Sequence, residues 1–115
     1  MNTRRLGGER GSVVAEFAVA LPAVVLTLAL GLGALTTAGQ QVRLQDAAAD
    51  AARLVARGEP DGRAGAVIAD AVKDAGAHIE RRGDLVCVTA SAAGRALGLL
   101  PLALSATSCA LAGGL

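Results

Sequence analysis

Aromatic side chains are nearly absent from this sequence: Phe17 is the only one among 115 residues, and there is no tryptophan or tyrosine. Basic and acidic residues almost balance, at 11 and 10, so the formal net charge is +1. A protein that binds nucleic acid generally presents a basic surface or aromatic rings on which bases stack. The chain has neither feature, and we therefore expect no nucleic-acid partner.

Residues that commonly carry catalysis or bind metals are also scarce. His78 is the only histidine, and with the two cysteines it matches no common zinc pattern. The sequence contains no Gly-x-Ser-x-Gly elbow. Its helical aspartates fall on predicted solvated faces and do not form a convergent acid–base pair. We expect a protein that is not an enzyme and that requires no cofactor or metal.

A long apolar run is the main feature that the chain does contain. Residues 13–35 include one charged residue, Glu16. As a helix this run spans about 34 Å, enough to cross a hydrocarbon core of about 30 Å. Three arginines precede the run, and no basic residue follows it before Arg43. This asymmetry predicts a cytoplasmic N-terminus and an extracytoplasmic remainder.

Two ordinary interpretations of the run leave Glu16 unexplained. A secretory signal peptide would be cut before Gly39, with Thr36 and Ala38 as the small residues preceding the cut, but its apolar region usually spans about 7–15 residues. A plain membrane anchor is the other interpretation. In both cases the lone carboxylate would lie near lipid at a cost of at least a few kcal/mol.

The position of Glu16 relative to Gly11 suggests a third interpretation. A short basic leader ends in Gly11, Ser12 follows, and the carboxylate comes five residues after the glycine. This pattern resembles the type IV prepilin signal. The resemblance implies that a membrane prepilin peptidase cuts between Gly11 and Ser12 and leaves the apolar helix attached. It also implies that Glu16 pairs with a freed α-amine, its own or a neighbour's.

The residues after Glu16 narrow the resemblance. Glu16-Phe17 is followed closely by Leu21-Pro22, and segment 10–22 is similar to the opening of the TadE-like minor pilins, or pseudopilins, of tight-adherence (Flp-type) pili. The resemblance implies a bacterial cell-membrane protein that joins such a pilus or its assembly machine. Its expected partners are the prepilin peptidase, other pilin subunits, pilus assembly proteins and membrane lipid. Pro22 either kinks the helix or lets it melt partly on packing.

Four segments are predicted along the chain: a leader over 1–11, a transmembrane helix over 12–38, a periplasmic extension of this helix over 39–57, and a small extracytoplasmic α+β domain over 62–115. The extension carries a charged face and an alanine-rich face at helical spacing. The alanine-rich face is shallow and suited to close approach by another element.

The C-terminal domain is predicted to contain a second helix and a hairpin. The helix begins at Asp61, a favourable N-cap residue, and runs to about His78. A turn at 81–84 leads to strands over 85–91 and 102–110 with a loop between them. The predicted fold class is therefore α+β, with a long N-terminal transmembrane and amphipathic helix, a second helix and a small C-terminal antiparallel β-hairpin.

The two cysteines fit this hairpin. One register sets three like pairs opposite each other: Cys87 and Cys109, Thr89 and Thr107, and Ser91 and Ser105. The side chains left for the buried face are then Val86, Val88, Leu102 and Leu104. A Cys87–Cys109 disulfide is expected if the domain lies outside the cytoplasm, and it would add about 3 kcal/mol of stability. Two free thiols are the alternative.

Overall fold

A computed structural model describes residues 2–96 and 98–113. Its elements are α1 (Asn2–Ala56), α2 (Asp61–Ala71), β1 (Gly76–Arg82), β2 (Leu85–Ala96) and β3 (Leu100–Leu111). The strands form one antiparallel sheet in the order β1-β2-β3. The predicted α+β class, with a long apolar N-terminal helix, a second helix and antiparallel strands, is confirmed. The molecule is a rod of 87 × 23 × 18 Å, because α2 and the sheet cover only the C-terminal part of α1.

α1 continues through its internal proline as one helix of 55 residues. Pro22 has no N–H group, so the carbonyl of Ala18 lacks the usual donor one turn later. Further along, the hydroxyl of Thr27 donates to the carbonyl oxygen of Ala23 at 2.8 Å, and Thr36 and Thr37 bond in the same way. These threonine hydroxyls are satisfied by carbonyl groups of the helix itself.

The part of α1 from Leu44 onward, α2 and the sheet together are here called the head, and its core is built from small side chains. α1 contributes a buried face at helical spacing: Leu44, Ala47, Ala48, Ala51, Ala52 and Val55. α2 adds Ala64 and Ile68, and the sheet adds Val86, Val88, Ala90, Ala92 and Ala106. Of the side chains that the structure describes, Leu44, Ile68 and Val88 are the large ones that are fully buried. The alanines let the backbones approach closely, and the resulting core is thin.

The second helix is shorter than the sequence pattern predicts, and the prediction of a helix to His78 is wrong. The helix ends at Ala71, Val72 is extended, and Asp74 has a left-handed φ of 61°. Residues 76–82 form β1, whose residue His78 lies opposite Thr89 of β2. β1 supplies backbone partners to an edge of β2 that would otherwise be open, and this strand pairing outweighs local helical spacing.

Asp61 is the first residue of α2 and does not act as its N-cap. Pro60 occupies the cap position, without a side-chain cap hydrogen bond. Arg81 of β1 instead donates to the Asp61 carboxylate at 3.1 Å, tying the start of α2 to the sheet. β1 and β2 are joined by a two-residue loop in which Gly83 has a φ of 58°, a conformation that glycine adopts without strain.

The hairpin of β2 and β3 has the predicted register but is longer than predicted. Cys87 lies opposite Cys109, and the register holds to the pair Ala96 and Leu100. Most of the predicted loop over 92–101 is therefore strand. Gly94 permits this extension, because an added Cβ would lie 3.0 Å from Leu104 and 3.2 Å from the Gln40 side chain on α1.

Leu102 is a correction to the predicted core: it is 37% exposed, whereas Val86 and Val88 are buried and Leu104 is partly buried. The added length of the hairpin extends past α2 and runs along α1 towards its apolar part. Leu102 lies in this projecting portion, beyond the reach of the other core elements.

Candidate functional site

The predicted cleavage and assembly residues lie on the first half of α1, N-terminal to the part that packs in the core. Gly11, Ser12, Glu16 and Phe17 are all exposed. An added Cβ at Gly11 would meet no atom within 4 Å. Packing among the described residues therefore does not require a glycine at that position.

Ser12 and Glu16 are separated by one helical turn. Residues four apart share a face of a helix, with Cβ atoms about 5–6 Å apart. A free amine on Ser12 would accordingly lie within reach of the Glu16 carboxylate, either in the same chain or in an axially shifted neighbour. Among residues 10–95 and 98–113, no ion pair involves Glu16.

The side chains around these residues form a continuous exposed apolar surface, here called the apolar sleeve. It consists of Val13, Val14, Phe17, Val19, Leu21, Val24, Val25, Leu26, Leu28, Leu30, Leu32 and Leu35. Even Leu21, the least exposed member, is 51% exposed. An apolar surface of this extent marks a site of contact with lipid or protein. Among the described residues, α1 alone is long and apolar enough to cross a membrane.

An apolar groove lies where α1 leaves the head, on the side of the β2–β3 hairpin. Leu100 and Leu104 border it from the hairpin, and Leu30, Gly33, Ala34, Thr37, Ala38 and Gln41 border it from α1. The groove has a volume of about 600 Å³. The sequence pattern does not predict it, since residues 92–101 have the composition of a loop. One signal points to it: after Asp84 the sequence contains a single charged residue, Arg95.

The outer face of the sheet carries a ladder of polar, uncharged pairs. Cys87 and Cys109 form a disulfide with their Cα atoms 4.0 Å apart. Beside it, the hydroxyls of Thr89 and Thr107 share a hydrogen bond of 2.9 Å. These pairs link β3 to the central strand β2, and they form a polar outer face of the sheet.

Charged groups on the head lie at its surface. Arg82 donates to the Glu80 carboxylate at 2.9 Å. This hydrogen bond, together with the positive charge of Arg82, lowers the pKa of Glu80. His78 on the same strand is exposed. Among residues 10–95 and 98–113, no polar or charged side chain is buried, and no group of three histidine, cysteine, aspartate or glutamate residues is close enough to hold a metal ion.

Comparison with known proteins finds a relative in Mycobacterium tuberculosis. The chain is 37% identical over 95 residues to the apoptosis inhibitor Rv3655c of Mycobacterium tuberculosis (strain ATCC 25618 / H37Rv), an alignment that covers 83% of this chain and 76% of the relative. No model of a known protein family matches the chain. No solved structure matches it either.

Proposed function

The chain belongs to the same family as Rv3655c of Mycobacterium tuberculosis, and we propose that it is a minor pilin, or pseudopilin, of a tight-adherence pilus. In this proposal a prepilin peptidase cuts between Gly11 and Ser12, and the processed chain takes part in assembly of the pilus. The protein resides in the bacterial cell membrane with its N-terminus cytoplasmic and its head extracytoplasmic. It has no catalytic role of its own.

The observation that carries the proposal is the position of Glu16. It is the one charged residue within the sleeve, five residues after a glycine that the fold does not need. A secretory signal or a simple anchor has no use for a carboxylate there. A processed pilin has one, because proteolysis creates a positively charged amine at Ser12 that must be paired within an apolar environment.

The length of α1 fits storage in the membrane followed by transfer into a helical bundle. The sleeve contacts lipid before assembly and neighbouring helices afterwards. Both environments are apolar, so the transfer gains little hydrophobic free energy. Specificity must therefore come from close packing of small residues and from the pair formed by Glu16 and the amine.

Mass spectrometry of the N-terminus of the chain purified from bacterial membranes tests the proposal. We expect the mature chain to begin at Ser12. A Gly11→Val variant, whose side chain would obstruct the peptidase, is expected to remain uncut. Gly8→Val is the matched control, and it should be cut normally because it lies within the leader. A wild-type chain that begins at any other residue would disprove the proposed processing.

A second candidate is a small secreted or membrane-anchored extracytoplasmic domain that binds a partner without a role in a pilus. The name of the mycobacterial relative, apoptosis inhibitor, favours this candidate, because it describes an activity other than pilus assembly. The same measurement separates the candidates. A chain that begins at Gly39 is a secreted domain, and a chain that retains Met1 is an anchored one.

A further inference from the structure

The tip of the β2–β3 hairpin lies beside the apolar part of α1. Its position along the helix is fixed by two glutamines: Gln41 donates to the carbonyl oxygen of Ser105 at 2.8 Å, and Gln45 donates to that of Thr107 at 3.3 Å. From Ser105 the strand runs about 17 Å further to Leu100. It ends next to Leu30, across the apolar groove.

Exposed leucines cluster at this end of the hairpin. Leu99 is 84% exposed, Leu100 is 63% exposed and Leu102 is 37% exposed; these three residues are here called the hairpin tip. Leucine side chains in water this close together are unfavourable, at about 25 cal/mol for each Å² of apolar surface. Among residues 10–95 and 98–113, no side chain covers the tip, so it is available for a contact outside the chain.

We propose that the hairpin tip inserts into the membrane leaflet on the side of the head, as a second lipid contact beside α1. The inference rests on the membrane-spanning role of α1 in the proposed function. A helix that enters the hydrocarbon core at Val13 leaves it about 30 Å later, near Gly33. The tip reaches Leu30, so it lies at or within this boundary.

The distribution of charge agrees with a lipid contact. Arg95 is the only charged residue after Asp84, and it borders a small cavity beside Leu32 and Thr36 of α1. At this level an arginine can extend its guanidinium group to the phosphates of the lipid headgroups while its aliphatic stem stays in the apolar zone. The polar ladder of the sheet begins further from the membrane, at Ser91 and Ser105.

The groove between the hairpin and α1 is a binding site for a lipid acyl chain in this proposal. It opens at the level of the tip, and its lining is almost entirely apolar: leucine, alanine and glycine with one threonine and one glutamine. An acyl chain can fill such a groove without leaving an unpaired polar group. The tip and the groove together make the end of the head continuous with the apolar sleeve.

Single tryptophans report on this contact, because the native chain has no tryptophan or tyrosine. The full chain is reconstituted in phosphatidylcholine–phosphatidylglycerol vesicles with a Leu100→Trp substitution. A Leu99→Trp variant repeats the measurement at a site with almost no packing to disturb. Leu111→Trp is the matched control, since Leu111 is also 63% exposed and lies at the opposite end of β3. Leu26→Trp reports on insertion of α1.

We expect the tryptophans at 99, 100 and 26 to emit at shorter wavelength and to lose most of their fluorescence when lipids with brominated acyl chains are used. The tryptophan at 111 should keep its fluorescence. Quenching at 26 without quenching at 99 or 100 overturns the inference and leaves the membrane-anchored function standing. Absence of quenching at all sites overturns both the insertion of the hairpin tip and the membrane-spanning role of α1.

A shift to shorter wavelength at 99 or 100 without quenching by brominated lipid also overturns the inference. If that shift disappears when the protein is diluted in lipid, a second copy of the chain covers the tip. Formation of the Cys87–Cys109 disulfide, measured as resistance to thiol labelling without reductant, verifies that each variant is folded.

Discussion

At the scale of single residues, Glu16 is the position on which the proposed function depends. It is exposed within the apolar sleeve, and its ion-pair partner is not found among residues 10–95 and 98–113. A charge in this position is costly in lipid. In the proposed function its partner is the amine that cleavage would release at Ser12, one helical turn away.

Substitution of Glu16 separates processing from assembly. We expect Glu16→Ala to be cut after Gly11 but to reduce the yield of pili to background, because the amine of Ser12 then has no partner in the bundle. Glu16→Asp keeps the charge and should retain part of the assembly. Electron microscopy of surface pili and mass spectrometry of the chain measure the two steps. Normal pili from the alanine variant would remove the role assigned to this carboxylate.

The disulfide is the second residue-scale feature with a measurable effect. Replacement of Cys87 and Cys109 by serine should lower the free energy of unfolding of the head by about 3 kcal/mol, because the unfolded chain loses a closed loop. The urea concentration at which the head becomes sensitive to protease measures this change. Ser91→Ala, on the same face, is the control and should change the free energy by less than about 0.5 kcal/mol. An unchanged urea midpoint in the double variant would show that the bond adds nothing.

At the scale of elements, the head depends on how closely α1, α2 and the sheet approach one another. The buried face of α1 includes four alanines that are at most 4% exposed: Ala47, Ala48, Ala51 and Ala52. Side chains this small contribute little apolar area each. Their value lies in bringing the elements together, so that the few large core residues, such as Ile68 and Val88, are fully buried.

A larger side chain where α1, α2 and the sheet approach one another should therefore lower the free energy of unfolding. Ala64 of α2 is 0% exposed, and Ala64→Leu is expected to destabilise the head by about 1–3 kcal/mol through overpacking. Ala66 lies on the exposed face of the same helix, and Ala66→Leu should change the free energy of unfolding by less than about 0.5 kcal/mol. Urea denaturation of both variants gives the comparison. Equal stability of the two would mean that α2 does not pack closely on α1.

At the scale of the whole molecule, the rod joins two parts with opposite requirements. The sleeve needs an apolar environment around its entire circumference, whereas the head buries one face of α1 and presents polar groups to water. The groove and the hairpin tip lie at the junction of these parts. A membrane surface at this junction would place the sleeve in lipid and the polar surface of the head in water.

Orientation in the membrane is a prediction at this scale. The arginines before the sleeve favour a cytoplasmic N-terminus, and the head is then extracytoplasmic. A cysteine introduced as Asp70→Cys on the exposed face of α2 should react with a membrane-impermeant maleimide in intact spheroplasts as fully as after lysis. A cytoplasmic thiol protein serves as the control for intactness. Labelling that requires lysis would reverse the proposed orientation.

The hairpin and the helix ends show what local sequence can and cannot specify. The register of β2 and β3 was predictable, because Cys87, Thr89 and Ser91 have counterparts of the same type at the matching spacing on the returning strand. β1 was not predictable, because Val72 and Ala75 continue the helical spacing of α2 and do pack against the core. The chain turns after Ala71, and this turn places Val72 and Ala75 against the core. Their spacing in the sequence does not distinguish such a turn from a continued helix.

The apolar helix, the placement of Glu16 five residues after Gly11, the α+β class and the opposition of Cys87 and Cys109 could all be inferred from the sequence alone. Each depends on residue type and on spacing along a few turns of helix or a single hairpin. Tertiary structure decided where α2 ends, that residues 76–82 become a strand, and that the hairpin tip extends to the level of Leu30. β1 pairs with the next strand across a two-residue loop, but residues 72–79 also fit helical spacing, and only the folded sheet shows which pattern holds. The position of the tip depends on packing against α1, which lies far away in the chain.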